Sequence, residues 1–348
     1  PGVRTTPESV DLQALLAEMR DRGVGAVAME VTSHALVLHR VEGIRYLAAA
    51  FTNLTQDHLD FHSGMEDYFE AKRSLFTAER VEHGTVNIDD PYGRKLFEDA
   101  TVPLLGFGIA QDAAIRAGRV TLRADGSDFV ITTPEGDVEV STSLAGTFNV
   151  YNCLAAAGTA FQAGIALDAI EKGIRNLPAV PGRFESVAMG QPFGVVIDYA
   201  HTPDSLDNVL RAARKLSTIG GTGRLLCVFG CGGDRDRAKR PLMGAVVARL
   251  ADRAIVTSDN PRSEDPMSII DEILEGVTAE APSGADAVIP DRREAIRYAL
   301  AEATEGDVVV IAGKGHETGQ EFATETVPFD DRDEARIALA DLGWGKTP

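Results

Sequence analysis

Polar loops follow apolar runs at several points along the chain. They span residues 30–34, 52–60, 198–201, 230–235, 259–262 and 313–317. In open parallel sheets, ligands bind outside the carboxyl ends of the strands. Because several Gly-rich or charged loops are predicted at one edge of two sheets, we interpret them as the wall of a ligand site.

A lysine falls on the buried stripe of the helix predicted after Gly64. That stripe is marked by the apolar residues Met65, Tyr68, Phe69, Leu75 and Phe76. Lysine is rarely buried unpaired. Lys72 is therefore either a side chain whose ammonium reaches water past an apolar stem, or an amine whose pKa is lowered by desolvation so that it can react.

Three patterns resemble known sites but fail in detail. The stretch 343–347 is similar to the end of a phosphate-binding loop, but Ala340 replaces the first glycine of that motif. The glycines at 230–233 lack the third-glycine spacing of a dinucleotide fingerprint. His58 and His62 are four residues apart in a predicted loop, and a structural role is predicted for His62.

The elements that carry these loops predict an α/β protein. A helix at 11–20 is followed by apolar runs at Val24 to Val31 and Leu47 to Phe51, which predict strands buried on both faces of a parallel sheet. Alternating residues between 120 and 143 predict an antiparallel hairpin, and an Ala-rich helix follows at 149–163.

A second domain is predicted after the Pro- and Gly-rich segment 178–182. Five apolar strands alternate with helices there and predict a doubly wound sheet. The strands are expected near 195–197, 225–229, 254–257, 287–289 and 308–311. We therefore place the two domains at residues 1–181 and 182–348.

Composition narrows the function. The net charge of −19 over 348 residues argues against a nucleic-acid partner, so an anionic substrate must be held by a few local cations. No apolar run approaches the ~20 residues that span a bilayer. Three scattered cysteines predict neither a disulfide framework nor a zinc site. This cysteine usage fits a reducing cytoplasm.

Ten stretches, in order along nearly the whole chain, resemble the Mur ligases. They are Thr5–Glu8, Met29–Leu36, Phe51–His62, Glu70–Lys72, Gly146–Asn152, Pro181–Glu185, Asp198–Pro203, Gly232–Asp236, Asp259–Arg262 and Gly313–Glu317. The resemblance implies a central ATPase domain followed by a Rossmann-like amino-acid-binding domain. It also implies that a P-loop, the first strand of the central sheet and a uridine-binding domain precede Pro1 in the family, so that this chain alone is inactive or weak.

The resemblance further implies an ATP-dependent amide ligase of peptidoglycan precursor synthesis. Such a ligase adds meso-2,6-diaminopimelate to the D-glutamate of UDP-N-acetylmuramoyl-L-alanyl-D-glutamate through an acyl phosphate. The cofactors implied are ATP and Mg²⁺. A lysine-adding Mur ligase and a folylpolyglutamate synthetase-like ligase are the alternatives. A nicotinamide-dependent oxidoreductase is disfavoured by the broken glycine fingerprint.

Residue roles follow from the same resemblance. Glu30, His58 and a carbamylated Lys72 are implied as the catalytic and Mg²⁺-binding set. The UDP-muramoyl-dipeptide is assigned to Thr5, Thr6, Thr32 and Arg40. ATP is assigned to Asn149, Arg183, Asp198 and His201. Diaminopimelate is assigned to Arg235, Asp259, Asn260, Pro261, Arg262, Gly313 and Glu317. Leu38 stands where a Gln is common in diaminopimelate ligases, and Thr32 replaces a common Ser.

Overall fold

The computed structural model describes residues 5–59, 61–110, 112–123, 126–177, 180–219 and 223–345. The chain divides into two compact units. Unit 1 comprises Pro1–Val120, Phe129–Val140 and Val150–Ile174, and unit 2 comprises Thr121–Asp128, Ser141–Asn149 and Arg175–Pro348. The segments Thr121–Asp128 and Ser141–Asn149 therefore group with the C-terminal half of the chain.

The first sheet has the order β1-β2-β3-β4-β5-β6. Its strands are β1 (Tyr46–Phe51), β2 (Val81–Asn87), β3 (Leu104–Gly108), β4 (Ile115–Arg123), β5 (Gly126–Thr133) and β6 (Gly136–Thr142). The strands from β1 to β4 pair in parallel. A two-residue turn joins β5 to β6, and Thr133 closes it by donating its hydroxyl to Gly136 O. The predicted hairpin and the strand at Leu47 to Phe51 are confirmed.

The helices of the N-terminal half cover this sheet. They are α1 (Ser9–Asp21), α2 (Ser33–Val37), α3 (Met65–Arg73), α4 (Pro91–Asp99), α5 (Thr147–Gln162) and α6 (Leu167–Arg175). Phe51, Phe69 and Phe76 meet in the core beneath them, with Phe51 edge-on to both other rings. Burial of these rings fixes α3, and therefore Lys72, against β1.

The predicted strand at Val24 to Val31 is wrong. Residues 24–31 form no strand, and Val24 and Val27 are each 47% exposed. A run of apolar residues becomes a buried strand only when neighbouring strands pair with it. In the described part of the chain, β1 pairs with β2 alone.

The second sheet has the order β11-β10-β9-β12-β8-β7. Its strands are β7 (Glu185–Ser186), β8 (Gly194–Asp198), β9 (Leu225–Phe229), β10 (Arg253–Val256), β11 (Ala287–Val288) and β12 (Val308–Ala312). All pairs are parallel except β7 with β8. The five predicted strands are confirmed.

Helices flank both faces of this sheet. They are α7 (Pro203–Ile219), α8 (Lys239–Leu250), α9 (Pro266–Glu280), α10 (Arg292–Glu302) and α11 (Asp331–Asp341), and a small antiparallel sheet joins β13 (Gly319–Glu321) to β14 (Thr326–Pro328). Every residue of β9 and of β12 is buried. Successive side chains of a strand point to opposite faces, so Leu225 and Phe229 enter one core while Leu226 and Val228 enter the other.

The parallel order places the carboxyl ends of β8, β9, β10 and β12 at one edge. The segments that leave this edge are residues 199–202, 230–238, 257–265 and 313–318. We call them the loop layer. No helix in the described part of the chain is both long enough and apolar enough to cross a bilayer.

Candidate functional site

In unit 1, Thr6 ties the start of the chain to the segment before α2. Its hydroxyl donates to Glu30 O at 2.9 Å and accepts the Thr32 N–H at 3.2 Å. Thr32 caps α2 by accepting the Ala35 N–H. Arg40 is nearly buried, donates to Thr6 O and pairs with Glu8. The structure therefore brings Thr6, Thr32 and Arg40 together, and Thr5 precedes them on the surface.

The ring of Tyr68 joins the residues predicted for catalysis. Lys72 Nζ lies 5.2 Å from its centroid, and the ring of His58 lies 5.8 Å from it. Burial raises the pKa of Tyr68 to about 12, and the charges of Asp57 and Glu30 add to that effect. His58 and Lys72 thus flank one aromatic side chain, and Glu30 is near enough for its charge to act on that ring and on Lys72.

The two histidines beside the Tyr68 ring, His58 and His62, differ in burial and in their partners. His62 is buried, stacks on Tyr68 at 4.9 Å, and is bonded to Ser33 Oγ and close to Asp67. This matches the structural role predicted for it. His58 is partly exposed, lies 3.6 Å from Asp57 and has the left-handed φ of 56°. That backbone is costly for a residue other than glycine, and such outliers concentrate at functional sites.

Lys72 occupies a poorly solvated place. Burial lowers the pKa of its amine, while the charges of Glu30 and Asp57 oppose that change. A cavity of ≈ 60 Å³ adjoins it. It is lined by Thr52 and Asn53 and by apolar residues of β1, of α2 and the segment before it, and of the segment after α3. Lys72 is half-buried, so its side chain keeps some contact with water, while the lowered pKa agrees with a partly desolvated amine.

No three His, Cys, Asp or Glu side chains in the described residues come close enough to hold a metal ion. Glu30 and His58 offer one carboxylate oxygen donor and one imidazole. A third donor group, and a second anionic oxygen donor, arises if Lys72 is converted to a carbamate. Hard divalent cations prefer oxygen ligands, so the residue types fit Mg²⁺ with Lys72 modified.

In unit 2, Asp198 ends β8 and holds two backbone amides. Its Oδ2 accepts the Phe184 N–H and its Oδ1 the Ala200 N–H, both at 2.7 Å. Burial raises its pKa to about 6, against the lowering effect of those two amides and of Arg183. This carboxylate therefore connects the segment before β7 to the loop after β8.

Tyr199 is the centre of the predicted nucleotide side. The Arg183 guanidinium lies 4.8 Å from its ring centroid, and the rings of His201 and His316 lie 4.6 and 5.3 Å away. Asn149 is buried at the start of α5 and donates to Ala145 O. Phe148, beside it, packs edge-on against Phe184. All four predicted ATP residues thus lie in unit 2.

Arg262 and Arg235 flank Gly232. A Cβ at Gly232 would lie 3.0 Å from Arg262 Nη1 and 3.8 Å from Arg235 Cγ. Arg262 has a left-handed φ of 52°, donates to Gly233 O and pairs with Glu321 at 2.7 Å. Its backbone bridges to Phe322 beside β13. The ion pair with Glu321 shows that a carboxylate fits against the Arg262 guanidinium, so the carboxylate of a ligand could bind there in its place.

The remaining predicted residues form one group that is buried except for the partly exposed Glu317. Asn260 Nδ2 donates to Glu317 Oε2 at 2.8 Å. The Cβ missing from Gly313, whose φ is +120°, would lie 2.3 Å from Asp259 Oδ2. Pro261 is buried, and its carbonyl packs against Gly233. The structure therefore gathers Asp259, Asn260, Pro261, Gly313 and Glu317 on the loop layer.

Sequence reasoning missed several residues that hold these groups. They are Asp57, Tyr68, Tyr199, Lys314 and Glu321. Lys314 carried a usable signal, since a lysine between two glycines directly after an all-apolar strand has little room to reach water. Tyr68 and Tyr199 carried none, because an aromatic residue on a buried stripe is ordinary core.

Two family models match the chain. The Mur ligase middle domain matches residues 1–160, and the Mur ligase glutamate ligase domain matches residues 182–315. The first match includes Glu30, His58 and Lys72, and the second includes Arg183, Asp259 and Arg262 but ends before Glu317. Together they extend over most of the chain.

Relatives and solved structures agree with these models. The chain is 50% identical over 342 residues to UDP-N-acetylmuramoyl-L-alanyl-D-glutamate–2,6-diaminopimelate ligase of Streptomyces coelicolor, covering 97% of this chain and 67% of that protein. It is 47% identical over 350 residues to the protein of the same name from Geobacillus kaustophilus, covering 99% and 70%.

A solved structure with that ligase name matches with a TM-score of 0.65 at 36% identity, covering 97% of this chain and 69% of the other. A MurF ligase of Thermotoga maritima in complex with ADP matches with a TM-score of 0.64 at 16% identity, covering 90% and 68%, and supports the fold alone. From the two domain models and from relatives that match nearly its full length, the chain belongs to the Mur ligase family of ATP-dependent ligases.

Proposed function

We propose that this chain carries the ATP-dependent addition of meso-2,6-diaminopimelate to UDP-N-acetylmuramoyl-L-alanyl-D-glutamate. The observation that carries the proposal is the match of nearly the whole chain to relatives bearing that ligase name. The geometry of the loop layer supports it independently. The lysine-adding and folylpolyglutamate synthetase-like alternatives are less favoured, because neither accounts for Arg262 as a partner for a distal carboxylate on the incoming amino acid.

The incoming amino acid needs one site for each distal charge. Arg262 offers a guanidinium fork for the distal carboxylate, at the place where Glu321 now pairs with it. Glu317 offers a partly exposed carboxylate for the distal ammonium. Arg235, Asp259, Asn260, Pro261 and Gly313 complete this pocket. A charged hydrogen bond contributes about 1.5–3 kcal/mol, enough for ~10- to 100-fold preference over lysine.

Two steps make the amide. The γ-phosphoryl group of ATP passes to the terminal carboxylate of the nucleotide substrate, releasing ADP. The neutral amine of diaminopimelate then attacks the acyl carbon, phosphate departs with the bonding electrons, and the amine loses a proton. Phosphoryl transfer depends chiefly on positioning and on charge neutralisation.

The residues around Tyr68 suit the first step. The lowered pKa of Lys72 leaves more of its amine neutral and able to add carbon dioxide as a carbamate. Glu30, His58 and carbamylated Lys72 would hold Mg²⁺, which neutralises charge on the transferred group. Thr6, Thr32 and Arg40, with Thr5 beside them, are proposed to bind the UDP-muramoyl-dipeptide.

The nucleotide side belongs to unit 2. Asn149, Arg183, Asp198 and His201 are proposed to contact ATP. Their support is the cluster at Tyr199 and the buried side chain of Asn149, which donates to Ala145 O. We propose the central domain at residues 1–181 and the amino-acid domain at 182–348, in a monomeric cytoplasmic enzyme.

The test compares amino-acid acceptors. The complete gene product that contains residues 1–348 is incubated with ATP, Mg²⁺ and the UDP-muramoyl-dipeptide, and amide product is measured with meso-diaminopimelate and with L-lysine. We expect diaminopimelate to be preferred by ~10-fold or more in kcat/KM. Amide formation with lysine alone would refute the substrate assignment.

Arg262→Gln sharpens this test. The glutamine keeps a polar side chain but loses the charged fork, so the preference for diaminopimelate should fall by about tenfold while lysine is used no worse. Arg253→Gln is the matched control, since Arg253 pairs with Asp286 and Glu302 at the amino end of β10. An unchanged preference in Arg262→Gln would remove Arg262 from the pocket.

A further inference from the structure

Among the described residues of unit 2, three cations are completely buried: Arg240, Arg292 and Lys314. Each joins two segments that leave the sheet edge. Arg240 donates to Gly232 O after β9 and pairs with Glu264 after β10. Arg292 donates to Ser258 O after β10 and to Ala312 O at the end of β12, and pairs with the equally buried Asp331.

Lys314 makes the third of these connections, and it alone touches the proposed amino-acid pocket directly. Its Nζ donates to Asn260 Oδ1 at 2.7 Å and lies 3.3 Å from Glu317 Oε2. Asp259 Oδ1 is 3.9 Å away. A lysine with no solvent exposure is retained only with such partners.

Lys314 and the backbone of Glu321 together determine which way the amide of Asn260 faces. Asn260 Oδ1 accepts from Lys314 Nζ and from the Glu321 N–H. Both partners are donors, so the amide oxygen must point toward them and Nδ2 must point away. Nδ2 then donates to Glu317 Oε2. Without the ammonium, one of the two reasons for this orientation is lost.

Lys314 also fixes Glu317. The Oε2 atom is held by Lys314 and by Asn260, whereas Oε1 accepts no hydrogen bond from any residue that the structure describes. Glu317 is 31% exposed, so one carboxylate oxygen remains open to a ligand. Lys314 and its two carboxylates, Asp259 and Glu317, leave one negative charge uncompensated, which favours an ammonium ligand.

We propose that Lys314 is a positioning residue for the incoming amino acid. It touches no substrate, but it holds Asn260 and Glu317 in the orientation that receives the distal ammonium. This inference rests on the proposed function. It predicts a defect confined to the amino-acid substrate, whereas a purely structural lysine would affect all three substrates alike.

The experiment uses Lys314→Met and Lys314→Gln in the complete gene product, with KM and kcat measured for each substrate. Methionine fills similar space without a donor, and glutamine retains a donor without the charge. We expect KM for diaminopimelate to rise by about tenfold or more in Lys314→Met and by less in Lys314→Gln. The KM values for ATP and for the nucleotide substrate should stay within about twofold.

Arg224→Met is the matched control for lost stability. Arg224 pairs with the nearly buried Asp307 at the amino ends of the strands, away from the loop layer. The thermal unfolding midpoint of Arg224→Met should fall, as that of Lys314→Met does. Its KM for diaminopimelate should stay unchanged. If Lys314→Met does not fold, Lys314→Gln decides the matter by the same KM ratio.

Each outcome has one meaning. Equal changes of all three KM values in the Lys314 variants, or no change in any, would overturn the positioning role. A wild-type protein that ligates some other amino acid would instead overturn the proposed function, and this appears in the wild-type assay before any variant is compared.

Discussion

Asp198 combines a buried carboxylate with two short backbone hydrogen bonds, and its ionisation therefore matters to stability. Burial raises its pKa from 3.8 to about 6. Between these values the native state holds a proton that the unfolded chain has lost. The contribution of this carboxyl to stability is thus complete below about pH 4 and disappears as the pH rises through about 6.

Asp198→Asn should remove this dependence. A change of about two pKa units corresponds to about 3 kcal/mol, so the stability of the wild type relative to the variant should fall by about that amount between pH 4 and pH 7. Urea unfolding of both proteins at intervals of one pH unit measures it. A stability difference that stays constant would show that Asp198 titrates normally.

Asp307→Asn provides a control of opposite sign. Burial of Asp307 acts to raise its pKa, but Arg224 and nearby N–H groups overcome this and the pKa is lowered. Its contribution is therefore present above the unfolded pKa and is lost as the pH falls toward acid. Below about pH 4, the free energy of unfolding of the wild type should rise relative to that of Asp307→Asn as the pH increases. From pH 5 to 7 the difference between the two proteins should stay constant.

At the scale of single residues, the sequence indicates which side chains belong to the candidate site. It is less informative about the neighbouring residues that hold those side chains in position. Helical spacing places Lys72 among apolar neighbours, and its pKa is indeed lowered. The position of Arg262 after a strand is also foreseeable. Its pairing with Glu321 is not, because β13 is three residues long and carries no pattern that sets its register against residue 262.

At the scale of elements, Gly182 shows how closely the loop layer approaches the segment before β7. Its φ is +68°, and a Cβ there would lie 2.1 Å from His316 N and 2.2 Å from Gly315 C. These are backbone atoms, so they cannot rotate aside. Any side chain at residue 182 would push the loop after β12 away from β7.

Gly182→Ala should destabilise the protein by about 3–5 kcal/mol, since backbone strain and a steric clash act together. Gly190→Ala is the matched control: its φ is +87° with no atom within 4 Å of the added Cβ, and it should lose only about 1–2 kcal/mol. Urea unfolding compares the two. Equal losses would mean that the loop moves aside without cost.

The central strands of the second half of the chain are predictable because both of their faces are covered and every residue of β9 and of β12 is apolar. The β9 and β12 runs match their predicted positions. In the first half, β2 and β3 escape prediction because Glu82, His83 and three glycines interrupt them. The run at Val24 to Val31 fails for the converse reason, since apolar content alone does not supply a pairing partner.

At the scale of the whole molecule, the net charge of −19 makes carboxylates repel one another at distances beyond the ion pairs. The Debye length shortens from ~30 Å at 10 mM salt to ~8 Å at 150 mM. Salt therefore weakens the long-range repulsion more than it weakens contacts such as the buried Arg292–Asp331 pair.

Raising NaCl from about 10 to about 150 mM at pH 8 should increase the thermal unfolding midpoint by ~2–4 °C. At pH 5, close to the isoelectric point of ≈ 4.8, the increase should nearly vanish because the net charge is small. Differential scanning fluorimetry at both pH values tests this. A midpoint that falls with salt at pH 8 would mean that attractive surface pairs outweigh the repulsion.

The three buried cations have a consequence for redesign. Because Arg240, Arg292 and Lys314 each anchor one segment of the sheet edge to another, these segments cannot be exchanged singly between homologues. A transplanted 259–262 segment would leave behind Lys314, the lysine that donates to its Asn260. Altering acceptor choice therefore requires moving a cation and both of its anchors as a set.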